Sequence, residues 1–301
     1  MPSVLPRDER LVVFITGASS GLGRALAEDY ANRPGSRLDS LEDQINKKRY
    51  RVFAGVRNLD SVRNLSPFVE RVKIDVNDGD SVKTAVDDII REAGKIDVLI
   101  NNAGVNSATG ATVEIDLDRV RATFETNYFG LLRVTQAVSA HMIPRRKGTI
   151  INIGSVSAYV NLPFSAAYTN SKAAVHSLND VLRSELSPFH IRVLLIAPGS
   201  VKSSFGDNAT KGIQYPSESS PYAGAKQAIH SRAVLSQETS PTDAKVFANW
   251  IRKEGEKSPW RQRHYLTAGT KSWLAWFISY LPPFMRDFLI WRVCRLGTIQ
   301  R

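Results

Sequence analysis

Only one cysteine, Cys294, occurs in the 301 residues, so no disulfide can form within the chain, which suits a reducing compartment. The five histidines are scattered, with no pair at metal-ligand spacing, which argues against a protein-held metal. Long apolar runs are missing as well. The first ten residues hold Asp8, Glu9 and two prolines and lack the apolar core of a signal peptide, and Leu11–Ile15 is too short to supply one. There is no internal repeat and no nucleic-acid-binding motif. The formal charge of +11, from basic residues spread along the chain with a concentration from Arg252 to Arg301, is therefore not read as a nucleic-acid surface. What is present is ordinary for a globular protein: 43% hydrophobic and 23% charged residues, in a chain long enough for a substantial core.

β-rich runs appear at 11–16, 50–56, 71–75, 97–101, 148–154 and 191–197, with helical patterning at 21–31, 79–94, 116–142 and 165–187 between them. Continuous apolar runs such as Val98-Leu99-Ile100 and Val193-Leu194-Leu195-Ile196 suit strands covered on both faces. A helix near 242–254 and a strand near 263–267 complete the pattern. Alternation of this kind predicts an α/β, doubly wound Rossmann fold: a seven-stranded parallel sheet, helices on both faces, ligands beyond the carboxyl ends of the strands. The expected organisation is one catalytic domain over 1–270, with a polar insertion at 32–49, a Ser/Pro/Gly/Lys-rich flap at about 202–242, and a separate tail over 271–301.

Directly after the first apolar run stands Thr16-Gly17-Ala18-Ser19-Ser20-Gly21-Leu22-Gly23. Glycines at 17, 21 and 23 allow a tight turn and close approach to a pyrophosphate, whose charge is favoured at the following helix N-terminus. The second strand ends in Val56-Arg57-Asn58. An acid there would hold ribose hydroxyls, whereas a basic side chain accepts an added phosphate, so Arg57 favours NADP(H) over NADH. Asp75 and Val76, closing the third strand, are placed for the adenine edge. Asn101-Asn102-Ala103-Gly104, closing the fourth, offers close backbone approach and small side chains beside the cofactor.

Tyr168 and Lys172, four apart in a helical stretch, share one face, and Ser155 lies just beyond the fifth strand. A phenol with an ordinary pKa of about 10 exchanges protons poorly near neutrality. A lysine ammonium ~5 Å away favours phenolate by roughly 3 kcal/mol at an effective dielectric constant of about 20. Tyr168 is thereby expected to pass a proton to or from a substrate oxygen, Ser155 to hydrogen-bond that oxygen, Lys172 also to hold ribose hydroxyls, and Asn127 to anchor a water leading from Lys172 to solvent.

With these residues in place, the sequence resembles the short-chain dehydrogenases/reductases over about residues 10–200. The resemblance is carried by Thr-Gly-x-x-x-Gly-x-Gly, Asn-Asn-Ala-Gly, Asn127, Ser155, Tyr168-x-x-x-Lys172 and Pro198-Gly199. Phe53-Ala54-Gly55-Val56-Arg57-Asn58, Leu162-Pro163-Phe164 and the long tail are most similar to the branch of 17β-hydroxysteroid and retinol dehydrogenases and 1-acyl-dihydroxyacetone-phosphate reductases. It implies an oxidoreductase acting on CH–OH donors with NAD(P), a catalytic tetrad of Asn127, Ser155, Tyr168 and Lys172, and frequent dimers or tetramers. It also implies cofactor contacts from Ser19, Ser20, Leu22, Asn102, Pro198, Gly199 and Val201. Ser203 stands where the family often has threonine.

In the tail, Trp273, Trp276, Phe277 and Tyr280 follow helical spacing, Pro282-Pro283 interrupts, and Phe284, Phe288 and Trp291 resume it beside Arg286, Arg292 and Arg295. The run is too short and broken to span a bilayer. Aromatics with arginines suit an interfacial helix on anionic lipid, able also to roof a substrate channel; packing on the domain itself or on an oligomer partner is the alternative. The aromatics, with Phe164 as a further pocket wall, favour a bulky apolar substrate. The reading is an NADPH-dependent reductase of a lipophilic ketone or aldehyde, placed in the cytoplasm or on the cytoplasmic face of a membrane such as the ER or a lipid droplet. A silent cofactor-binding regulator and a membrane-surface scaffold are its rivals.

Overall fold

The structure, a computed structural model, describes residues 10–32, 49–203, 209–238, 240–257, 265–269, 272–294 and 296–298. Seven strands form one sheet: β1 (Leu11–Thr16), β2 (Tyr50–Val56), β3 (Val69–Lys73), β4 (Val98–Asn101), β5 (Gly148–Ile153), β6 (Ile191–Pro198) and β7 (Tyr265–Ala268). Their order is β3-β2-β1-β4-β5-β6-β7 and every neighbouring pair is parallel. Val12 to Ile15 are fully buried, because a parallel strand covered on both faces has no solvent side to alternate with.

Helices α1 (Gly21–Ala31), α2 (Gly79–Ala93), α3 (Leu117–Phe124), α4 (Leu131–Arg145), α5 (Ala166–Leu186), α6 (Lys226–Glu238) and α7 (Ala244–Glu256) surround the sheet. One apolar layer joins Leu26 and Tyr30 of α1 to Phe247 and Ile251 of α7. The opposite layer joins Val82 and Ile89 of α2, Val138 and Met142 of α4 and Leu182 of α5. Between α1 and α7 the guanidinium of Arg252 is completely buried, held by Asp29 at 2.6 Å and Glu256 at 2.9 Å. Such pairing is what allows a charge to remain inside.

Strand order reverses between β1 and β4, so their carboxyl ends open a crevice in which ligands of doubly wound sheets bind. The helix expected over 116–142 is interrupted: Glu125–Gly130 forms a π-helical turn between α3 and α4. Gly130 lies so close to Val76 that a Cβ there would approach its Cγ2 to 2.8 Å, which fixes that turn against the end of β3. Within the expected flap the chain forms α6 and pairs locally, Thr109 with Ile213 and Val201 with Thr242. Tail helices α8 (Ser272–Ser279) and α9 (Pro283–Val293) follow β7. The insertion expected at 32–49 lies, apart from its two end residues, outside the described residues.

Candidate active site and dinucleotide cleft

The crevice is built first by the turn after β1. Gly17 and Gly21 hold φ of +66° and +54°, a left-handed conformation that side chains oppose. A Cβ on Gly17 would stand 2.7 Å from the Ala103 Cα, and one on Gly23 would collide with the Gly17 carbonyl and the Asn102 amide. Thr16 Oγ1 accepts from the backbone N–H groups of Asn102 and Ala103, both at 3.1 Å, and Asn102 Nδ2 donates to the Thr16 and Gly17 carbonyls at 3.1 Å. The β1 and β4 loops thus form one bare backbone surface at the N-terminus of α1, which fits a pyrophosphate. Ser19, Ser20 and Leu22 belong to that turn. Ser203, beyond β6, comes over it: a Cβ on Gly21 would lie 2.9 Å from the Ser203 Cβ. Pro198, Gly199 and Val201 lie between, at the end of β6.

Arg57 is exposed at the end of β2. With Asp75 it lines a groove of about 1160 Å³ along the edge strand β3, remote from Ser155 and Tyr168. Asp75 is partly committed locally, its Oδ1 accepting from the Asn77 N–H at 3.0 Å. Val76 is buried, packed in the core against the π turn rather than open to solvent.

Gly104 connects this cleft to the second cluster. A Cβ there would sit 3.3 Å from Asn127 Oδ1 and 3.6 Å from Lys172 Nζ, so the end of the β4 loop lies directly on both side chains. Asn127, fully buried in the π turn, accepts from the Val105 N–H at 2.8 Å and donates to the Val105 carbonyl and Ser171 Oγ, each at 2.9 Å. Lys172 Nζ donates to the Ile153 carbonyl at the end of β5, at 2.8 Å, and stands 5.9 Å from the centre of the Tyr168 ring. The Ser155 hydroxyl lies close enough to the Tyr168 phenol to act on its pKa as a hydrogen-bonding neighbour. All four residues of the expected tetrad therefore gather at the carboxyl ends of β4 and β5.

Electrostatics departs from the expected phenolate. Burial holds the Tyr168 phenol above its ordinary value, opposed by the neighbouring Ser155 hydroxyl and the charge of Arg232. Desolvation also lowers Lys172 to about 8. Taking both groups out of water favours their neutral forms, and this outweighs the attraction assumed from spacing alone. At neutral pH the phenol keeps its proton.

Sequence reasoning missed several groups. His176, one turn beyond Lys172, accepts from the Ser155 N–H at 3.3 Å, and burial beside Lys172 lowers its pKa to about 4, so it stays neutral. Its spacing from Lys172 on the same helix face was a signal available in the sequence. Ser157 Oγ pairs with Ser155 Oγ at 2.5 Å. Arg232 of α6 donates to Ser165 Oγ at 2.8 Å, close enough to Tyr168 to act on its charge. Phe164, expected as a pocket wall, is buried against Ala225 and Ile229, where it fixes α6 to the start of α5.

Fold and crevice together define a dinucleotide-binding α/β protein that assembles a hydroxyl, a phenol and an amine at its strand ends. The chain belongs to the short chain dehydrogenase family, whose sequence profile matches residues 11–214, and it is an oxidoreductase of that family. It is 32% identical over 283 residues to dehydrogenase/reductase SDR family member 7B of Xenopus laevis, covering 90% of this chain and 78% of that one. It is 33% identical over 194 residues to the NADPH-dependent 1-acyldihydroxyacetone phosphate reductase of Schizosaccharomyces pombe, covering 64% of this chain and 60% of that one. The fold matches a short-chain dehydrogenase from Streptomyces avermitilis with a TM-score of 0.74 at 27% identity, over 96% of this chain and 98% of that one.

Proposed function

We propose that the protein reduces a ketone or aldehyde on a lipophilic molecule with NADPH, running reversibly as an alcohol dehydrogenase. The observation that carries this reading is the gathering of Tyr168, Lys172 and Asn127 beside the glycine-lined crevice, Lys172 Nζ 5.9 Å from the Tyr168 ring centre and Gly104 backing on Asn127 and Lys172. The chemistry that a reduced nicotinamide would supply in this crevice is a hydride for the carbonyl carbon. The chain does the rest. The Ser155 hydroxyl holds the carbonyl oxygen, and the protonated Tyr168 phenol delivers a proton to it as the alcohol forms. Lys172 holds ribose hydroxyls while its ammonium favours the tyrosinate left behind. Asn102, Ser19, Ser20 and Leu22 would hold the dinucleotide, and Arg57 would take the added phosphate of NADP(H).

The NADP(H) preference is supported by Arg57 and by the NADPH dependence of the Schizosaccharomyces pombe relative. That relative's substrate is an acylated ketone, which supports the lipophilic class. The tail supports it too: α8 lies against the Val156–Ala158 turn that follows Ser155, and Leu296 packs on the Phe164–Ala225–Ile229 cluster. The tail thereby borders the site while its aromatics face solvent, Trp273 being 69% and Phe284 74% exposed. With Arg286 and Arg292 beside them they suit an anionic lipid surface from which an apolar substrate enters. A silent regulator has no use for the assembled Ser155, Tyr168 and Lys172. Tyr168→Phe tests the reading: kcat for an apolar ketone should fall at least about 100-fold while NADPH affinity stays within a few-fold. Substantial remaining turnover would refute it.

A further inference from the structure

Arg232 is a partly buried guanidinium whose Nε is enclosed without a partner. Its Nη2 donates to Ser165 Oγ at 2.8 Å, and Ser165 is itself fully buried at the entry to α5, three residues before Tyr168. Among the described residues it forms no ion pair, and the groups whose charge acts on it are Tyr168 and Cys294, neither of them a carboxylate. Three other shielded arginines are paired with carboxylates: Arg252 is held by Asp29 and Glu256, and Arg145 and Arg51 meet Asp97 and Glu70, whereas Arg192 spends its donors on Thr149 and two backbone carbonyls. Removing a guanidinium from water without a counter-anion costs several kcal/mol. Nor is the position accidental, since α6 is anchored to Phe164 through Ala225 and Ile229.

We propose that Arg232, with Ser165 behind it, is an anion subsite for an acidic group carried by the substrate itself, a phosphate monoester or a carboxylate, a few bonds from the carbonyl that meets Tyr168. A planar guanidinium fork matches the oxygens of such groups in pairs. The anion does not come from the dinucleotide, because the pyrophosphate turn at Gly17–Gly23 and Arg57 lie at the ends of β1 and β2, whereas Arg232 sits on α6 beside the entry to α5. The arrangement selects against a ketone bearing an ammonium group next to the carbonyl. This assignment rests on Tyr168 marking the reacting carbonyl.

The test compares NADPH oxidation with 1-acyldihydroxyacetone phosphate, its dephosphorylated form, and a 4-oxo fatty acid of equal chain length, in wild type, Arg232→Gln and Arg232→Lys. Wild type should prefer the phosphate or the carboxylate to the neutral ketone at least tenfold in kcat/KM, and which one it prefers identifies the group. Arg232→Gln should abolish that preference, chiefly through KM, and Arg232→Lys should restore part of it. Absence of preference in wild type, or a preference unchanged in Arg232→Gln, overturns the subsite. Equal losses on charged and neutral ketones would also overturn it, leaving Arg232 a positioning residue for Tyr168. If no ketone is turned over, the reading of Tyr168 fails instead. Calorimetry of the phosphate probe on NADPH-loaded wild type and Arg232→Gln then decides the subsite separately: tighter binding by wild type supports it, and equal binding overturns it.

Discussion

Asn127 and Val105 exchange two hydrogen bonds, the Val105 N–H to Oδ1 at 2.8 Å and Nδ2 to the Val105 carbonyl at 2.9 Å. A buried side-chain amide thus acts as a short strand partner for the backbone that leaves β4. The same Oδ1 bounds the space beside Gly104, so the π turn, the β4 loop and Lys172 are set as one unit. Local widening of a helix to a π turn is common at functional sites, and here it turns Asn127 inward.

Asn127→Ala removes both bonds and the one to Ser171, and leaves the partly buried Val105 groups without these partners. We expect a stability loss of about 2–4 kcal/mol, from the usual cost of unmade buried hydrogen bonds, together with at least a tenfold fall in kcat. Urea unfolding and steady-state kinetics check both. A fall in stability alone, with turnover intact, would reduce Asn127 to a structural role.

Lys172 gives a pH dependence of opposite sign in activity and stability. Its pKa is lowered by burial to about 8, against an ordinary 10.5 in the unfolded chain. Below about 8 both states carry the proton and the folded state bears the full desolvation penalty. Between about 8 and 10.5 the unfolded chain binds more protons, so this group makes stability rise with pH, by on the order of 3 kcal/mol in total. Turnover should fall over the lower part of that window, as the ammonium that holds the ribose and favours tyrosinate is lost. Unfolding free energies of wild type and Lys172→Met across pH 7 to about 10 should differ in slope, the variant being flatter. Parallel slopes would remove Lys172 from the account.

The strands and the main helices could be read almost to their ends because their signals are local. β1, β2 and α1 have the expected limits, since continuous apolar runs and a glycine turn state their own boundaries. The mutual placement of Ser155, Tyr168 and Lys172 could be read for the same reason, their spacing being fixed along one chain segment and one strand end. The π turn had no such signal: it depends on Val105 and Val76, neighbours only in three dimensions. Helix α6 was read as flap because its polar, serine-containing sequence hides a packing made with Phe164. The charge state of Tyr168 was also hidden, because spacing shows a nearby amine but not how much water both groups have lost.

Arg57 should decide the cofactor. It is exposed at the end of β2 with no acid beside it in Val56-Arg57-Asn58. Arg57→Ala is expected to raise the KM for NADPH at least about tenfold, the usual weight of a charge-assisted contact to phosphate, and to leave NADH within about twofold. Arg57→Asp should go further, towards a preference for NADH. Initial rates with both cofactors at a fixed apolar ketone measure this. An unchanged ratio in both variants would move the choice to another residue.

The tail makes the last prediction. Trp273, Trp276, Phe277, Phe284, Phe288 and Trp291 expose large apolar surfaces on two short helices, with Arg286 and Arg292 among them. No helix among the described residues is long and apolar enough to cross a membrane, so contact through this surface would be peripheral. Aromatics exposed to water on this scale are rare unless something covers them. The arginines favour a negatively charged cover, with attraction of about 1 kcal/mol per basic residue at such a surface. Full-length protein should float with vesicles containing phosphatidylserine and much less with neutral vesicles. Trp273→Ala combined with Phe284→Ala should weaken flotation about tenfold or more through lost apolar insertion. Arg286→Ala with Arg292→Ala should weaken it on anionic vesicles only. Flotation indifferent to both pairs would mean that the aromatics meet another copy of the chain, which sedimentation of the same variants would then show as a change in oligomeric state.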